Sequence, residues 1–196
     1  PMAGVVVSWT GAGSLSPSGA TNESGQASAE WTLGTTAGAQ SATASLEAGL
    51  QAGFSATAEA GPAAELGLSP DSLVFDALGD DATVSASAVD AHGNAVASVD
   101  PTWEARDTGV ATVSAAGLVT AVANGSTWLV AEVGSVADSI RVRVEQLAAA
   151  VAVAPDSSLL TVGDTMTLAA TVEDANGNAV ASPSFSWSSS LPDVAT

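Results

Sequence analysis

The chain has 196 residues, 46% of them hydrophobic, and sets 21 acidic residues against 3 basic ones for a formal net charge of −18. Such a surface repels phosphate backbones and anionic headgroups, which excludes nucleic acid as a partner. No cysteine is present, so disulfides and thiolate metal sites are excluded; the longest apolar run, Leu147 to Ala154, is far short of the roughly 20 residues that span a bilayer.

The basic residues are Arg106, Arg141 and Arg143; Lys is absent, and the pI is near 4.1. This composition reads as an acidic coat that keeps chains apart in solution. The sequence opens at Pro1 without a charged start or an apolar signal core, so a secreted protein would carry its targeting signal upstream.

Helix patterning is absent, and alternation with a period of two takes its place. It appears at Val5, Val7 and Trp9, then at Ala27, Ala29, Trp31 and Leu33, and again at Phe54, Ala56 and Ala58. Further along it marks Val84, Ala86 and Ala88, then Trp128, Val130 and Glu132, Val142 and Val144, and finally Leu168, Ala170 and Val172. Ser24-Gly25, His92-Gly93-Asn94, Asn124-Gly125 and Asn176-Gly177-Asn178 punctuate these runs with the turn chemistry of hairpins. The expected fold class is all-β, built of short strands in sandwiches.

The chain also repeats itself. Asp90-Ala-His-Gly-Asn-Ala-Val-Ala-Ser98 returns 84 residues later as Asp174-Ala-Asn-Gly-Asn-Ala-Val-Ala-Ser182. The same shift carries Trp103 onto Trp187 and Val110-Ala111-Thr112 onto Val194-Ala195-Thr196, while Pro70-Asp71 recurs at a shift of 85 as Pro155-Asp156. A period of that size is one small domain copied along the chain. The expected division is a partial domain over 1–61, a complete one over 62–146 and a partial one over 147–196, with junctions at Gly61-Pro62 and Gln146-Leu147. On this reading the first segment lacks opening strands and the third lacks closing ones. Two explanations stay open: the sequence is a window on a longer repetitive chain, or the open ends of neighbouring subunits complete each other head to tail.

The motif Asp90-Ala-His-Gly-Asn94, followed by Pro101-Thr-Trp103, Asp107 to Val113 and Gly117 to Gly125, resembles the bacterial Ig-like group 2 domain. The third segment resembles its front half. The first segment, through Val5 to Trp9, Gly13 to Pro17, Thr21 to Gly25, Trp31 to Gly34 and Gly38 to Ala44, resembles the back of a group 1 Ig-like domain of the invasin and intimin kind. The resemblance implies stacked tandem Ig-like sandwiches in an extracellular or surface-exposed bacterial protein.

Chemistry finds little purchase in this sequence. His92 is the single histidine and stands where the other copy has Asn176; Cys, Lys and Tyr are missing, so no nucleophile and base pair suggests itself. The paired acids Asp80-Asp81 imply no substrate groove. No catalytic, cofactor or metal residue is therefore assigned, and an enzyme is not expected. In Asp90 and Asp174 the motif reads as a tight turn with Gly in the left-handed position. An EF-hand loop would need Gly sixth and a carboxylate twelfth, where Pro101 and Phe185 stand. A weaker structural calcium site could combine Asp76, Asp80 and Asp81 with Glu65 or Asp100. Trp103, Trp187 and Trp9 are expected in cores, and Trp31 and Trp128 could face a neighbouring domain or chain.

The resulting expectation is a non-catalytic extracellular structural protein, a spacer, stalk or filament shaft of a surface adhesin or fibre. Its partners would be neighbouring Ig-like domains of the same or an adjacent chain. The alternative is an adhesive module that recognises a glycan or protein, or a phage or capsid decoration domain.

Overall fold

The computed structural model describes residues 1–192 and 194, and every helix or strand among them is a β-strand. In chain order these are β1 (Ser8–Gly11), β2 (Ser14–Pro17), β3 (Ala29–Thr32), β4 (Gly38–Ser45), β5 (Gln51–Ala58), β6 (Ala63–Ser69), β7 (Ser72–Phe75) and β8 (Asp81–Thr83). They continue with β9 (Ser85–Asp90), β10 (Thr102–Ala105), β11 (Ala111–Val113), β12 (Leu118–Ala121), β13 (Gly125–Val133), β14 (Val136–Val144), β15 (Ala150–Ala154) and β16 (Ala169–Glu173). No helix among the described residues is long and apolar enough to cross a membrane.

The chain divides into two compact units. The first holds Pro1–Leu66, Ser87–Asp100 and Gly134–Val136; the second holds Gly67–Ala86, Pro101–Val133 and Ala137–Thr196.

In the first unit β1, β4 and β5 form an antiparallel sheet in that order, and β2 pairs with β3. Ala-rich β4 and β5 align from Gly38 opposite Ala58 to Ser45 opposite Gln51, and the chain reverses between them where Leu46 N–H donates to Leu50 O. The small side chains let strands form but bury little. Ala42 is the one buried hydrophobic residue between Pro1 and Gly61.

The second unit contains a sandwich. One sheet runs β10-β13-β14-β7 and the other β11-β12-β8. Leu73, Phe75, Leu129, Ile140, Val142 and Val144 from the first sheet meet Ala111, Val119 and Ala121 from the second, with Val84 and Val110 closing the core. Inward residues alternate with outward ones: along β14, Ile140, Val142 and Val144 are buried while Arg141 and Arg143 face out. β7 and β14 are parallel neighbours, with Ser72 opposite Arg141 and Phe75 opposite Val144.

The alternation expected at Trp128, Val130 and Glu132 is present in β13, and the core lies on the side of the residues between them. Leu129 and Ala131 are fully buried, whereas Trp128 is 52% exposed. Four consecutive apolar residues, Trp128 to Ala131, leave the phase open, and the pairing decides it. Asp107 N–H donates to the hydroxyl of buried Thr127 at 2.8 Å, which turns Thr127, Leu129 and Ala131 toward the core.

The third stretch keeps only a two-stranded ladder, β15 with β16, and all five residues of β15 are exposed. The turn in which Val110 N–H reaches Asp107 O at 3.2 Å recurs as Val194 N–H to Leu191 O at 2.9 Å. Ala195 and Thr196, the end of that sequence repeat, lie outside the described residues.

Candidate functional site

In both copies the repeated motif folds as a turn. Gly93 and Gly177 have φ of 81° and 78°, in the region where an L side chain is strained, and their N–H groups donate to the carbonyls of Asp90 and Asp174. One carboxylate oxygen, Oδ1, caps this local structure. In Asp90 it accepts from the N–H groups of His92 and Asn94, both at 2.9 Å; in Asp174 it accepts from Asn176 N–H at 3.0 Å and Asn178 N–H at 2.9 Å.

The other oxygen takes the amide of the motif's own asparagine and also reaches beyond the turn. Asp90 Oδ2 accepts from Gly61 N–H at 2.8 Å, and Asp174 Oδ2 accepts from Leu78 N–H and from Gln146 Nε2, both at 2.9 Å. The asparagines reach the same way. Asn94 Nδ2 donates to Thr35 O at 2.8 Å, and its Oδ1 accepts from Ala37 N–H at 2.8 Å. Asn178 Nδ2 donates to Leu78 O at 2.9 Å, while Asn176 Nδ2 donates to Leu78 O at 3.0 Å and to Asp80 Oδ1 at 2.9 Å.

The receiving loops are themselves fixed. Buried Gln40 donates through Nε2 to Gly34 O and Thr36 O and accepts from Gly34 N–H, which holds the loop that Asn94 meets. Gly79 N–H donates to Ala121 O and Ala121 N–H to Asp80 O, which ties the Leu78 loop to the core sheet.

Asp90 and Asp174 are only 6% and 2% exposed. For Asp90, the Asn94 amide and then Gly61 N–H hold the carboxyl well below its ordinary 3.8 against the opposing effect of burial, helped by the N–H groups of Asn94 and His92. For Asp174, burial is the largest single influence and raises the value, but Gln146, Leu78, Asn178 and Asn176 together outweigh it. A folded value below the unfolded one means these bonds contribute stability above about pH 4 and lose it as pH falls further. The difference in Tm between the wild-type chain and Asp174→Asn should therefore be full at neutral pH and shrink steadily below about pH 4. A difference that stays constant through acid contradicts the assignment.

The proposed calcium ligands do not converge. Among the described residues no group of three or more Asp, Glu or His could hold a metal ion. Asp80 instead takes Ala77 N–H and the Asn176 amide on its two oxygens, and Asp81 lies in β8 opposite Thr120. The backbone carbonyl of Asp76 accepts Leu147 N–H at 2.8 Å. Glu65 lies in β6, and Asp100 stands two residues before β10. His92 sits exposed at its turn, and only its backbone N–H is engaged there.

The tryptophans fall into three environments. Trp103 packs against the core of the second unit. Trp187, its repeat counterpart, is 54% exposed beside Phe185, contrary to the expected core position. Gly117 lies beside the Trp103 ring, so close that an added Cβ would stand 3.1 Å from it. In the first unit Trp9, Leu15, Trp31 and Phe54 line an apolar cleft of about 320 Å³, with Trp31 and Phe54 edge to face at 5.9 Å. The Nε1 of Trp31 donates to Ala12 O, whereas that of Trp9 is buried without a partner.

Sheet order, a two-sheet core and the repeated turns define the fold as an Ig-like β-sandwich. No protein-family model matches the chain, and no curated protein matches it. Among solved structures, the FdeC adhesin of Escherichia coli superposes with a TM-score of 0.60 at 24% identity, over 91% of this chain and 65% of that one. InvD of Yersinia pseudotuberculosis gives 0.48 at 19%, over 92% and 63%. Domains 4–9 of the surface layer protein SbsC give 0.44 at 21%, over 79% and 26%. The chain thus spans less than two thirds of each of these structures.

Proposed function

We propose that this chain is a non-catalytic, load-bearing spacer in an extracellular or cell-surface bacterial protein, made of Ig-like repeats over 1–61, 62–146 and 147–196. The observation that carries the proposal is the parallel pairing of β7 with β14, the first and last strands of the two-sheet core. Tension applied through the flanking chain pulls β7 from its N-terminal end and β14 from its C-terminal end. In a parallel pair these pulls slide one strand along the other, so the ladder bonds are loaded together instead of being peeled one at a time. Glu145 N–H to Phe75 O and Leu147 N–H to Asp76 O extend that ladder toward the junction. The surface location is supported by likeness in fold to a protein described as an adhesin. Pulling single chains by their two ends tests the proposal: a spacer of this design breaks in one high-force step.

Adhesion is the second reading, and the cleft of Trp9, Leu15, Trp31 and Phe54 favours it, because open aromatic faces suit sugar rings or an apolar partner. Head-to-tail association with another copy is favoured by apolar positions buried in one repeat and bare in the next: Val84 is 1% exposed and its counterpart Leu168 is 44% exposed.

A further inference from the structure

We infer that the repeated Asp-Ala-x-Gly-Asn turn is a docking element, by which each repeat captures a backbone loop and the linker of the segment that precedes it. A turn alone needs only the aspartate and the glycine. The nine-residue segment is nonetheless almost identical in two copies whose surroundings have drifted apart, and the structure shows what the other positions contact.

The two oxygens of the motif aspartate differ in reach in both copies. Among the described residues Oδ1 accepts only from its own turn, whereas Oδ2 accepts the amide of the motif's asparagine and, in addition, a donor from the linker: Gly61 N–H in one case and Gln146 Nε2 in the other. Gly61 and Gln146 are themselves 85 residues apart, the shift found for Pro70 and Pro155. The final asparagine then takes a backbone carbonyl from a loop of the preceding segment, Thr35 in the first copy and Leu78 in the second. The captured loops come from different positions in their segments, 34–37 and 77–80. What they share is one presented carbonyl and one presented N–H, those of Thr35 and Ala37 or both from Leu78. The partner recognised in both copies is therefore a backbone pattern on a preceding Ig-like segment, to which the second copy adds the Asp80 carboxylate bonded by Asn176. Gln146 strengthens the second copy by also exchanging bonds with Asn124, whose Oδ1 accepts Gln146 N–H and whose Nδ2 donates to Gln146 Oε1.

The inference deepens the spacer reading and rests on it for its purpose, since a load-bearing chain gains from junctions that do not swing. The absence of cysteine makes the test clean. Spin labels placed through Ser41→Cys with Ser98→Cys report the first junction, and Ser126→Cys with Thr171→Cys report the second. Each pair should give a narrow distance distribution in the full chain. Asn94→Ala should broaden the first at least twofold and leave the second unchanged; Asn178→Ala should do the reverse. Gln146→Ala, which leaves the turn intact, should broaden only the second. In Asp174→Ala the Leu78 amide should exchange with solvent at least tenfold faster, while the Leu129 amide keeps its wild-type protection. Distributions that stay narrow in all three label variants would overturn the inference. So would broadening that comes only with loss of protection at Leu129, because the turn would then be serving its own fold. These readouts are independent of the force measurement, so the docking role can fail while the spacer role stands.

Discussion

Leu129→Ala should cost the second unit about 3 kcal/mol, within the 2 to 5 typical of a buried leucine truncated to alanine. Leu129 is completely inaccessible and sits in the middle of β13, with β10 on one side and β14 on the other. The space it would vacate lies within a core cluster that includes Val142 and Val144 from its own sheet and Val119 and Ala121 from the other. Strands held by ladders on both edges collapse little into a void, so the cavity term stays large. Trp128→Ala, one residue earlier, removes a larger side chain that is half exposed, and should cost about 1 kcal/mol or less. Urea melts of the two variants followed by circular dichroism measure the contrast. A Trp128 variant less stable than the Leu129 variant would mean that the inward face of β13 is the other one.

Gly117→Ala should cost about 2 to 4 kcal/mol, from two additive sources. Gly117 closes the tight turn between β11 and β12, with its N–H donating to Ser114 O at 3.0 Å and its carbonyl accepting from Val84 N–H at 2.9 Å. Its φ is 78°, which penalises any L side chain. A Cβ there would also drive into the Val84 carbonyl oxygen and lie 3.1 Å from the Trp103 ring, and backbone cannot move aside as a flexible side chain can. Gly93→Ala is the control: its φ is similar at 81°, but no atom lies within 4 Å of the added methyl, so only the conformational penalty of about 1 kcal/mol applies. Equal losses at the two glycines would show that the Trp103 and Val84 contacts carry no weight.

The strand architecture was legible because two independent signals agreed, the alternation of apolar residues and the glycine and asparagine punctuation between runs. Where one signal weakens, the phase of a strand stays open. The run Trp128 to Val130 is apolar at every position, and only the Asp107 bond to Thr127 fixes which residues point in. Trp187 is expected in a core because it shares with Trp103 the repeat position at which an Ig-like sandwich places a large ring. Burial is a property of what surrounds a residue, and a repeat transmits the residue without its surroundings. For the motif, the turn could be read from Asp, Gly and Asn, and the structure adds the second carboxylate oxygen. Its donors, Gly61 N–H and Leu78 N–H, belong to the backbone and leave no mark in the sequence. The side-chain donor from outside the motif, Gln146, stands 28 residues from Asp174 at a junction, and nothing in its neighbours sets it apart. The acids first grouped for calcium show the same limit: Asp80 and Asp81 are adjacent in sequence, but one serves a loop and an asparagine while the other is a strand residue.

Force-extension of single chains held at both termini tests most directly the proposed load-bearing role of the sandwich closed by the parallel pair β7 and β14. A discrete rupture is expected in which the stretch from Leu68 to Val144 is released as a unit, adding about 250 to 280 Å of chain before the folded length is subtracted. Gradual lengthening at low force, with no step of that size, would contradict that role.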